Sequence, residues 1–320
     1  MEPTRDGFGR ALLKLGETHP SVVALCADLA ESTRMLAFKD KYPERYIELG
    51  VAEQNLATIA SGLANYGKIP FIASYAAFSP GRNNEQIRTT ISLNNLPVKI
   101  VGSHAGVSVG PDGATHQALE DMALMRVQPH MTVLSPCDSE EAYKATLTAA
   151  DIQGPVYIRL AREKTPVMTT PESPFKVGSV QVIYESEHRP EVVIFATGPL
   201  LYNALAAARE LEPAVPTVVV NVHTIKPLAA EIVEIAKSAG AVVTVEEHQV
   251  AGGLGSAICE LLSVNCPLPV EMIGVHDQFG QSGEPKELIE HYGMGVEHIK
   301  DAVKKVFTRR QANAERAPGR

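Results

Sequence analysis

The chain has 320 residues, of which 45% are hydrophobic and 21% charged, so it is long enough for two domains and has the composition of a globular protein. Its formal net charge of −8 argues against a nucleic-acid-binding protein, because such proteins present a basic surface to phosphates. No apolar run approaches the roughly 18 residues that span a bilayer, no secretion leader is recognisable, and the four cysteines form no Cys-x-x-Cys pair. We therefore expect a cytoplasmic protein without disulfides or zinc, whose partners are small molecules and other proteins.

Short β-branched apolar runs alternate with helix-length amphipathic segments through the first half of the chain. The predicted strands are 21–27, 69–74, 98–102, 131–134 and 156–160. The predicted helices are 7–17, 52–66, 84–94, 115–126 and 139–150. This alternation is typical of parallel strands joined by helical crossovers, so it predicts a doubly wound, mostly parallel α/β domain over residues 1–161.

Residues 162–178 contain three prolines and show neither a helical nor an alternating period, so we expect a linker there. The βα alternation then resumes, with predicted strands at 192–196, 217–222, 241–246 and 269–275. A second, smaller α/β domain is therefore expected over residues 179–307. The tail, residues 308–320, lacks apolar anchors and is expected to be disordered.

Polar residues crowd two places where open α/β sheets bind ligands, beyond the carboxyl ends of strands. In the first, Glu-Leu-Gly-Val-Ala-Glu-Gln-Asn at 48–55, a short strand turns at Gly50 and a helix begins near Ala52. Glu53 thus lies in a first helical turn. Taken alone, this position favours an acid that merely complements the helix dipole.

The second place is a glycine-rich loop between an apolar strand and a helix, which contains Gly-Pro-Asp-Gly-Ala-Thr-His-Gln at 110–117. His104, Asp112 and His116 lie in it, and glycine turns can aim all three inward. The spacing of the histidines matches no recognised metal-ligand pattern. A metal site and a purely structural loop remain the alternatives to a catalytic loop.

Together, these two segments resemble the transketolase family. Residues up to 161 resemble its pyrimidine-binding domain. The second half resembles its C-terminal domain through Thr-Ile-Lys-Pro-Leu at 224–228, Val-Glu-Glu-His-Gln-Val-Ala-Gly-Gly-Leu-Gly-Ser at 245–256 and Asp-Gln-Phe-Gly-Gln-Ser-Gly at 277–283. The resemblance implies thiamine diphosphate as cofactor, with Glu53 as the glutamate that shares a proton with its aminopyrimidine ring.

The same resemblance assigns aromatic and acidic neighbours of the cofactor. Phe78 matches the residue that stacks on the pyrimidine, with Tyr75 beside it, although core packing would also explain Tyr75. Gly81 departs from the family pattern, because many members carry a second tyrosine there. Asp28 matches an aspartate near the cofactor, and a turn residue at a strand end is the alternative.

For the substrate, the resemblance implies that His104 and His116 bind hydroxyls of a ketose donor and that Asp112 binds an acceptor hydroxyl. Deoxyxylulose-phosphate synthases, which are close relatives, usually carry arginine in place of His104. The histidine therefore favours transfer of a two-carbon ketol unit over pyruvate decarboxylation.

Three further residues match positions that hold the terminal phosphate of the sugar, namely Arg5, Ser32 and Arg162. The forked guanidinium of arginine suits a phosphate or a similar anion such as a sulfonate. Each of the three could instead be an ordinary surface residue.

Other conspicuous residues are predicted to have no catalytic role. Gly-Gly-Leu-Gly-Ser at 252–256 does not match a phosphate-binding loop in register and is expected to form a tight strand-to-helix turn. His223, His248 and His276 follow strands of the second half, where capping or subunit contacts are expected.

The sequence lacks the Gly-Asp-Gly motif, followed by Asn, with which the family binds the diphosphate through a divalent ion, Mg²⁺ or Ca²⁺. The resemblance therefore implies the β subunit of a split enzyme that acts on sugar phosphates. In this enzyme an N-terminal transketolase subunit holds the metal, and the expected assembly is an α2β2 tetramer. The alternatives are a 2-oxo-acid dehydrogenase β subunit, a deoxyxylulose-phosphate-synthase-like enzyme and a catalytically inactive scaffold.

Overall fold

The computed structural model describes the backbone of residues 1–316 and side chains through residue 312. Fully buried, mostly apolar runs form the strands at the centre of two sheets, as expected where helices cover both faces. The first sheet has seven strands in the order β10-β5-β6-β4-β3-β1-β2. Its strands are β1 (Val22–Cys26), β2 (Tyr46–Glu48), β3 (Ile69–Tyr75), β4 (Lys99–Ser103), β5 (Thr132–Leu134), β6 (Val156–Arg159) and β10 (Thr224–Lys226).

Helices pack on both faces of this sheet. They are α1 (Thr4–Thr18), α2 (Leu36–Lys41), α3 (Glu53–Asn65), α4 (Asn84–Gln86, continued by a π-helix at Ile87–Ser92), α5 (Asp121–Arg126) and α6 (Ser139–Asp151). Helices α1 and α6 lie against each other so closely that a Cβ at Gly7 would come within 1.9 Å of the carbonyl oxygen of Ser139. Glycine is therefore required where the two helices meet.

The second half forms a sheet of five strands in the order β12-β11-β8-β9-β7, parallel except for β7. Its strands are β7 (Gln181–Glu185), β8 (Val192–Ala196), β9 (Thr217–Asn221), β11 (Val242–Gln249) and β12 (Val270–Val275). Its helices are α7 (Leu201–Leu211), α8 (Glu231–Ala239), α9 (Leu254–Asn265), α10 (Pro285–His291) and α11 (Val296–Arg316). The expected two-domain α/β architecture with mostly parallel sheets is confirmed.

The two halves share a strand and a core. Strand β10 comes from the second half, yet it pairs antiparallel with β5 and so completes the edge of the first sheet. One apolar cluster contains residues of both halves, for example Ile72 and Tyr157 together with Phe195 and Val222. The halves therefore pack against each other along a continuous apolar surface.

Two sequence-based expectations about helices are wrong. Residues 308–316, expected to be disordered, continue helix α11, because Val303 and Val306 bury their side chains and Arg309 pairs with Glu271; residues 317–320 lie outside the described residues. The helix expected at 115–126 begins only at Asp121, since residues 114–116 form a turn and Ala118 forms an isolated β-bridge with Ala105.

The segment 162–178, expected to be a linker, forms neither helix nor strand but is fastened to the first half. The carboxylate of Asp138, which caps α6 through Glu141 N, also accepts hydrogen bonds from the amides of Met168 and Thr169 at 2.7 and 2.6 Å. In the described part of the chain, no helix is both long and apolar enough to span a bilayer.

Candidate active site

The site predicted from the sequence lies along the carboxyl edge of the first sheet, where the parallel strands of an open α/β sheet bind ligands. Asp28 follows β1, Glu53 follows β2, Tyr75 ends β3, His104 follows β4 and Arg162 comes after β6. Strands β1, β3, β4 and β6 are neighbours in the sheet. The fold therefore brings together residues that are far apart in sequence.

Glu53 is the first residue of α3 and is only 3% exposed. Both of its carboxylate oxygens accept a hydrogen bond of 2.9 Å from Nη1 of Arg82. The guanidinium of Arg82 also lies over the ring of Phe78, at 4.8 Å from the centroid, and Asn83 Nδ2 donates to the Glu53 carbonyl at 2.9 Å. The half-exposed side chain of Arg82 thus contacts both the carboxylate of Glu53 and the ring of Phe78.

Aromatic rings continue from Phe78 toward the centre of the sheet edge. Tyr75 stacks on Phe78 with ring centroids 6.0 Å apart and on His104 with centroids 3.9 Å apart. His116 approaches edge-on, 5.2 Å from Phe78 and 6.1 Å from Tyr75. Four predicted site residues therefore form one cluster.

His104 is 2% exposed and adopts a left-handed backbone conformation with φ of 55°, which is uncommon for a residue with a side chain. Its Nε2 lies 3.0 Å from Nη1 of Arg5 and its Nδ1 lies 2.8 Å from the hydroxyl of Ser103. Arginine can only donate, so Nε2 accepts and the ring proton is assigned to Nδ1. Burial, and then the charges of Arg5 and Arg162, lower the pKa of His104 to about 3 from 6.5.

We expect His104 to stay neutral throughout the physiological range. In an NMR titration of histidine-labelled protein, its Cε1 proton should hold one chemical shift from about pH 8 to pH 5, while free imidazole titrates in that range. Because the folded-state pKa lies below the ordinary value, His104 should lower the stability of the protein only as the pH falls from about 6.5 toward 3. A His104 resonance that titrates near pH 6.5 would contradict the assignment.

Positive charge surrounds the Arg5 side of His104. Arg5 Nη1 also donates to the carbonyl oxygen of Ser32 at 3.0 Å, whereas Arg5 Nε is buried and has no hydrogen-bond partner among the described residues. Arg34 is close enough to contribute to the lowered pKa of His104, and its Nε donates to Asp6 at 2.6 Å. A guanidinium with a free buried donor beside further arginines is suited to an anionic ligand.

The remaining predicted residues lie at the rim. Asp112 is exposed, and its carboxylate lies 3.9 Å from Arg162 Nη1, which donates to the carbonyl of Val109 at 2.5 Å. Asp28 is exposed with φ of 59°, and its amide donates to Glu48 at 2.7 Å. The structure thus places Asp28 at the strand-end turn, in contact with Glu48 rather than with the aromatic cluster.

Sequence reasoning did not identify Arg82, Arg34 or Glu48. Arg82 is close in sequence to Phe78, but its pairing with Glu53 joins two separate elements. Arg34 has positive φ and lies close enough to Arg5 and His104 to act on both, and neither property is visible in a residue pattern. Glu48 is the one of the three that lies inside a motif used for the prediction, the segment 48–55.

The residues that were predicted to be non-catalytic have structural partners. The loop at 252–256 is a strand-to-helix turn whose amides, at Leu254 and Gly255, donate to the carboxylate of Glu246 at 2.7 and 2.8 Å. The carboxylate of Glu246 thus occupies the position that a phosphate would take in a nucleotide-binding loop.

His223 packs on Phe175, with ring centroids 4.5 Å apart.

The site can hold a planar nitrogen heterocycle. A buried carboxylate, Glu53, borders an opening of about 170 Å³ that Arg82 also lines, and the guanidinium of Arg82 lies over the ring of Phe78. The carboxylate can bind a ring N–H while the aromatic face stacks on the ring. In the part of the chain that the structure describes, no three His, Cys, Asp or Glu side chains converge as a metal site requires.

Two sequence profiles of known families match the chain. The profile described as "Transketolase, pyrimidine binding domain" matches residues 2–168. The profile described as "Transketolase, C-terminal domain" matches residues 181–299. Together they cover nearly all of the chain.

Proteins of similar length resemble the chain from end to end. A putative transketolase C-terminal section from Methanocaldococcus jannaschii is 40% identical, over 92% of this chain and 93% of that protein. A 6-deoxy-6-sulfo-D-fructose transketolase subunit from Clostridium sp. is 38% identical, over 96% and 95% respectively. The solved structure of a split-gene transketolase, described as an inactive β4 tetramer, is 44% identical, with a TM-score of 0.89 over 96% of this chain and 99% of that one.

Proposed function

The chain belongs to the transketolase family, whose members depend on thiamine diphosphate, and we propose that it is the pyrimidine-binding subunit of a two-chain transketolase. Residues 1–161 would be the pyrimidine-binding domain. One observation carries the proposal. A continuous series of contacts runs from Glu53 through Arg82 to Phe78, and then through Tyr75 and His104 to Arg5. It links a buried acid, an aromatic platform and an arginine suited to an anion.

Each residue has a role that follows from its position. Bound thiamine diphosphate supplies a thiazolium carbon that carries the two-carbon unit between sugars. Glu53 holds a proton at the aminopyrimidine nitrogen, which needs a carboxylate shielded from water. Phe78 and Tyr75 keep the ring in place. Neutral His104, with its proton on Nδ1, offers Nε2 as an acceptor for a sugar hydroxyl once Arg5 turns to the substrate's anion.

The substrate is proposed to be a ketose donor and an aldose acceptor that each end in an anionic group. Arg5 and Arg162 would bind this group, and the unpartnered Nε of Arg5 supports an oxygen-rich anion such as phosphate. The name of the Clostridium relative specifies a sulfonated sugar, so a sulfonate is the second anion to test. Asp112, at the rim, and His116, in the aromatic cluster, would bind hydroxyls along the sugar.

The cofactor's diphosphate would be held by a second protein. The sequence contains no Gly-Asp-Gly, and we propose that an N-terminal transketolase subunit supplies this motif and its Mg²⁺ or Ca²⁺ ion in an α2β2 assembly. The description of the split-gene relative as an inactive β4 tetramer supports such a division, because an assembly of this half alone lacked activity.

The test is reconstitution with a transketolase N-terminal chain that carries the Gly-Asp-Gly motif followed by Asn. The mixture should transfer a ketol unit between phosphorylated or sulfonated sugars only when thiamine diphosphate and a divalent ion are added, and neither chain should do so alone. A mixture that decarboxylates pyruvate or a branched 2-oxo acid but leaves ketoses unchanged would instead identify a 2-oxo-acid dehydrogenase subunit.

Arg5→Met should affect anionic substrates selectively. Loss of a charge-assisted contact worth about 1.5–3 kcal/mol should raise KM for a phosphorylated donor by roughly 10- to 150-fold. KM for an uncharged ketose should change by less than about threefold. Arg10→Met is the matched control, because Arg10 lies on the same helix but pairs with Glu140 in solvent. An equal rise in KM for the phosphorylated and the uncharged substrate would show that Arg5 does not bind the anionic group.

A further inference from the structure

The side chain of Gln117 lies where the loop that carries Asp112 and His116 meets the second half of the chain. It is 4% exposed, and its Nε2 donates to the carbonyls of Val107 at 3.0 Å and Gly110 at 3.3 Å, both within that loop. The same nitrogen donates to the carbonyl of Gln281, in the second half, at 2.9 Å. One amide group therefore fastens the loop to itself and to the other domain.

The two segments fit together without space for side chains. A Cβ at Gly113 would lie 2.6 Å from the hydroxyl of Ser282, and one at Gly280 would lie 1.9 Å from Oε1 of Gln117. Gly113 also has φ of +71°, which favours glycine. Helix α10 packs against Val107–Asp112 from the second half. The backbone of the loop is therefore fitted to the segment 277–285.

That segment is itself held firmly by the second half. The side-chain amide of Gln249, at the end of β11, donates to the carbonyl of Gln278 at 2.7 Å and accepts from the amide of Asp277 at 3.0 Å. The hydroxyl of Tyr292, after α10, donates to the carbonyl of Phe279 at 3.0 Å. Segment 277–285 is thus a platform that three hydrogen bonds attach to the second half, and the Gln117 side chain donates a hydrogen bond that joins it to the loop.

We propose that Gln117 is a positioning residue through which the second half of the chain holds Asp112 and His116 in place for the substrate. The substrate part of this inference rests on the proposed function, whereas the ordering of the loop does not. Without the Nε2 donor, the carbonyls at Val107, Gly110 and Gln281 lose a shared partner, and the loop can leave the platform. Glu53 lies on a different element and keeps its place.

Gln117→Met tests this, because methionine has nearly the same volume and removes the donor. In the chain alone, hydrogen–deuterium exchange should become about 10-fold faster in 106–117 and 278–285, which corresponds to loss of one to two net hydrogen bonds. In the reconstituted complex, KM for the donor sugar should rise about 10-fold. Turnover at saturation and the Kd for thiamine diphosphate should stay within about twofold.

A substitution in the second half should have the same effect. Gly280→Ala places a methyl group against Gln117, whereas Gly283→Ala, in the same segment, meets only the side chain of Leu288, at 3.0 Å. Gly280→Ala should therefore reproduce Gln117→Met, and Gly283→Ala should match the unaltered protein.

Unchanged exchange in 106–117 for both Gln117→Met and Gly280→Ala would overturn the inference. Equal acceleration in all peptides would overturn it too, since that result marks general destabilisation. The exchange result and the activity assay are independent. If exchange becomes faster only in the two segments, Gln117 orders the loop. If the unaltered protein nevertheless transfers no ketol unit, the proposed function is wrong but the ordering of the loop by Gln117 stands.

Discussion

Glu53→Gln should lower the turnover of the reconstituted complex by about 10²- to 10⁴-fold, the range in which a positioned proton-transfer group contributes to catalysis. Glutamine keeps the size of the side chain and one acceptor oxygen, but it cannot carry the proton that a carboxylate shares with a ring nitrogen. It also cannot form the two-oxygen ion pair with Arg82. The measurement is the rate of ketol transfer at saturating cofactor and substrate.

The control separates catalysis from an ordinary helix-start acid. Glu231 lies in the first turn of α8, is exposed, and is remote from the site. If Glu53 only complemented its helix dipole, both Glu53→Gln and Glu231→Gln would cost about 0.3–1 kcal/mol of stability and leave turnover intact. Near-normal turnover in Glu53→Gln would exclude the proton-sharing role.

Arg159→Met should destabilise the folded protein by about 3–5 kcal/mol, because it leaves a buried carboxylate without its partner. Arg159 and Asp121 are 5% and 1% exposed, and their Nε and Oδ2 atoms are 2.8 Å apart. Burial is the largest single influence and raises the pKa of Asp121. The charges of Arg159 and His248, together with the hydrogen bonds from Arg159 and Tyr157, outweigh it and hold the pKa below its ordinary value. Arg159 also donates to the carbonyl of Glu247 at 2.8 Å, so the pair joins the two halves.

Urea denaturation followed by circular dichroism measures this loss as a shift of the midpoint at constant slope. Arg10→Met is the control, since Arg10 pairs with Glu140 in solvent and such pairs contribute at most about 1 kcal/mol. If Arg159→Met lowers the free energy of unfolding by less than about 1 kcal/mol, water must reach Asp121. The two halves would then pack less tightly at this pair than the structure shows.

The sequence was sufficient for features with a local pattern. The strands at the sheet centres, such as β3 and β8, are continuous apolar runs, and their ends could be predicted closely. Glu53, Phe78 and His104 could be chosen because each sits in a motif that resembles a known family. The structure adds that Phe78 and His104 share the same aromatic cluster through Tyr75.

Features that depend on distant partners could not be predicted. Strand β10 is three residues long, and its place in the first sheet depends on β5, about ninety positions earlier. Helix α11 extends through polar residues because Arg309 forms an ion pair with Glu271 on β12. The absence of helix before Asp121 has the same cause, since Ala118 and Leu119 use their carbonyls to bind Gly106 and Gln249. In each case a tertiary contact overrides local propensity.

The central claim is that this chain supplies Glu53 to a cofactor that a second chain must hold. Calorimetric titration with thiamine diphosphate and Mg²⁺ tests it most directly, using this chain, the N-terminal chain, and the two mixed. We expect tight binding only in the mixture, with Glu53→Gln weakening it by no more than about 10-fold. Equally tight binding to this chain alone would contradict the claim, because the diphosphate site would then lie within these 320 residues.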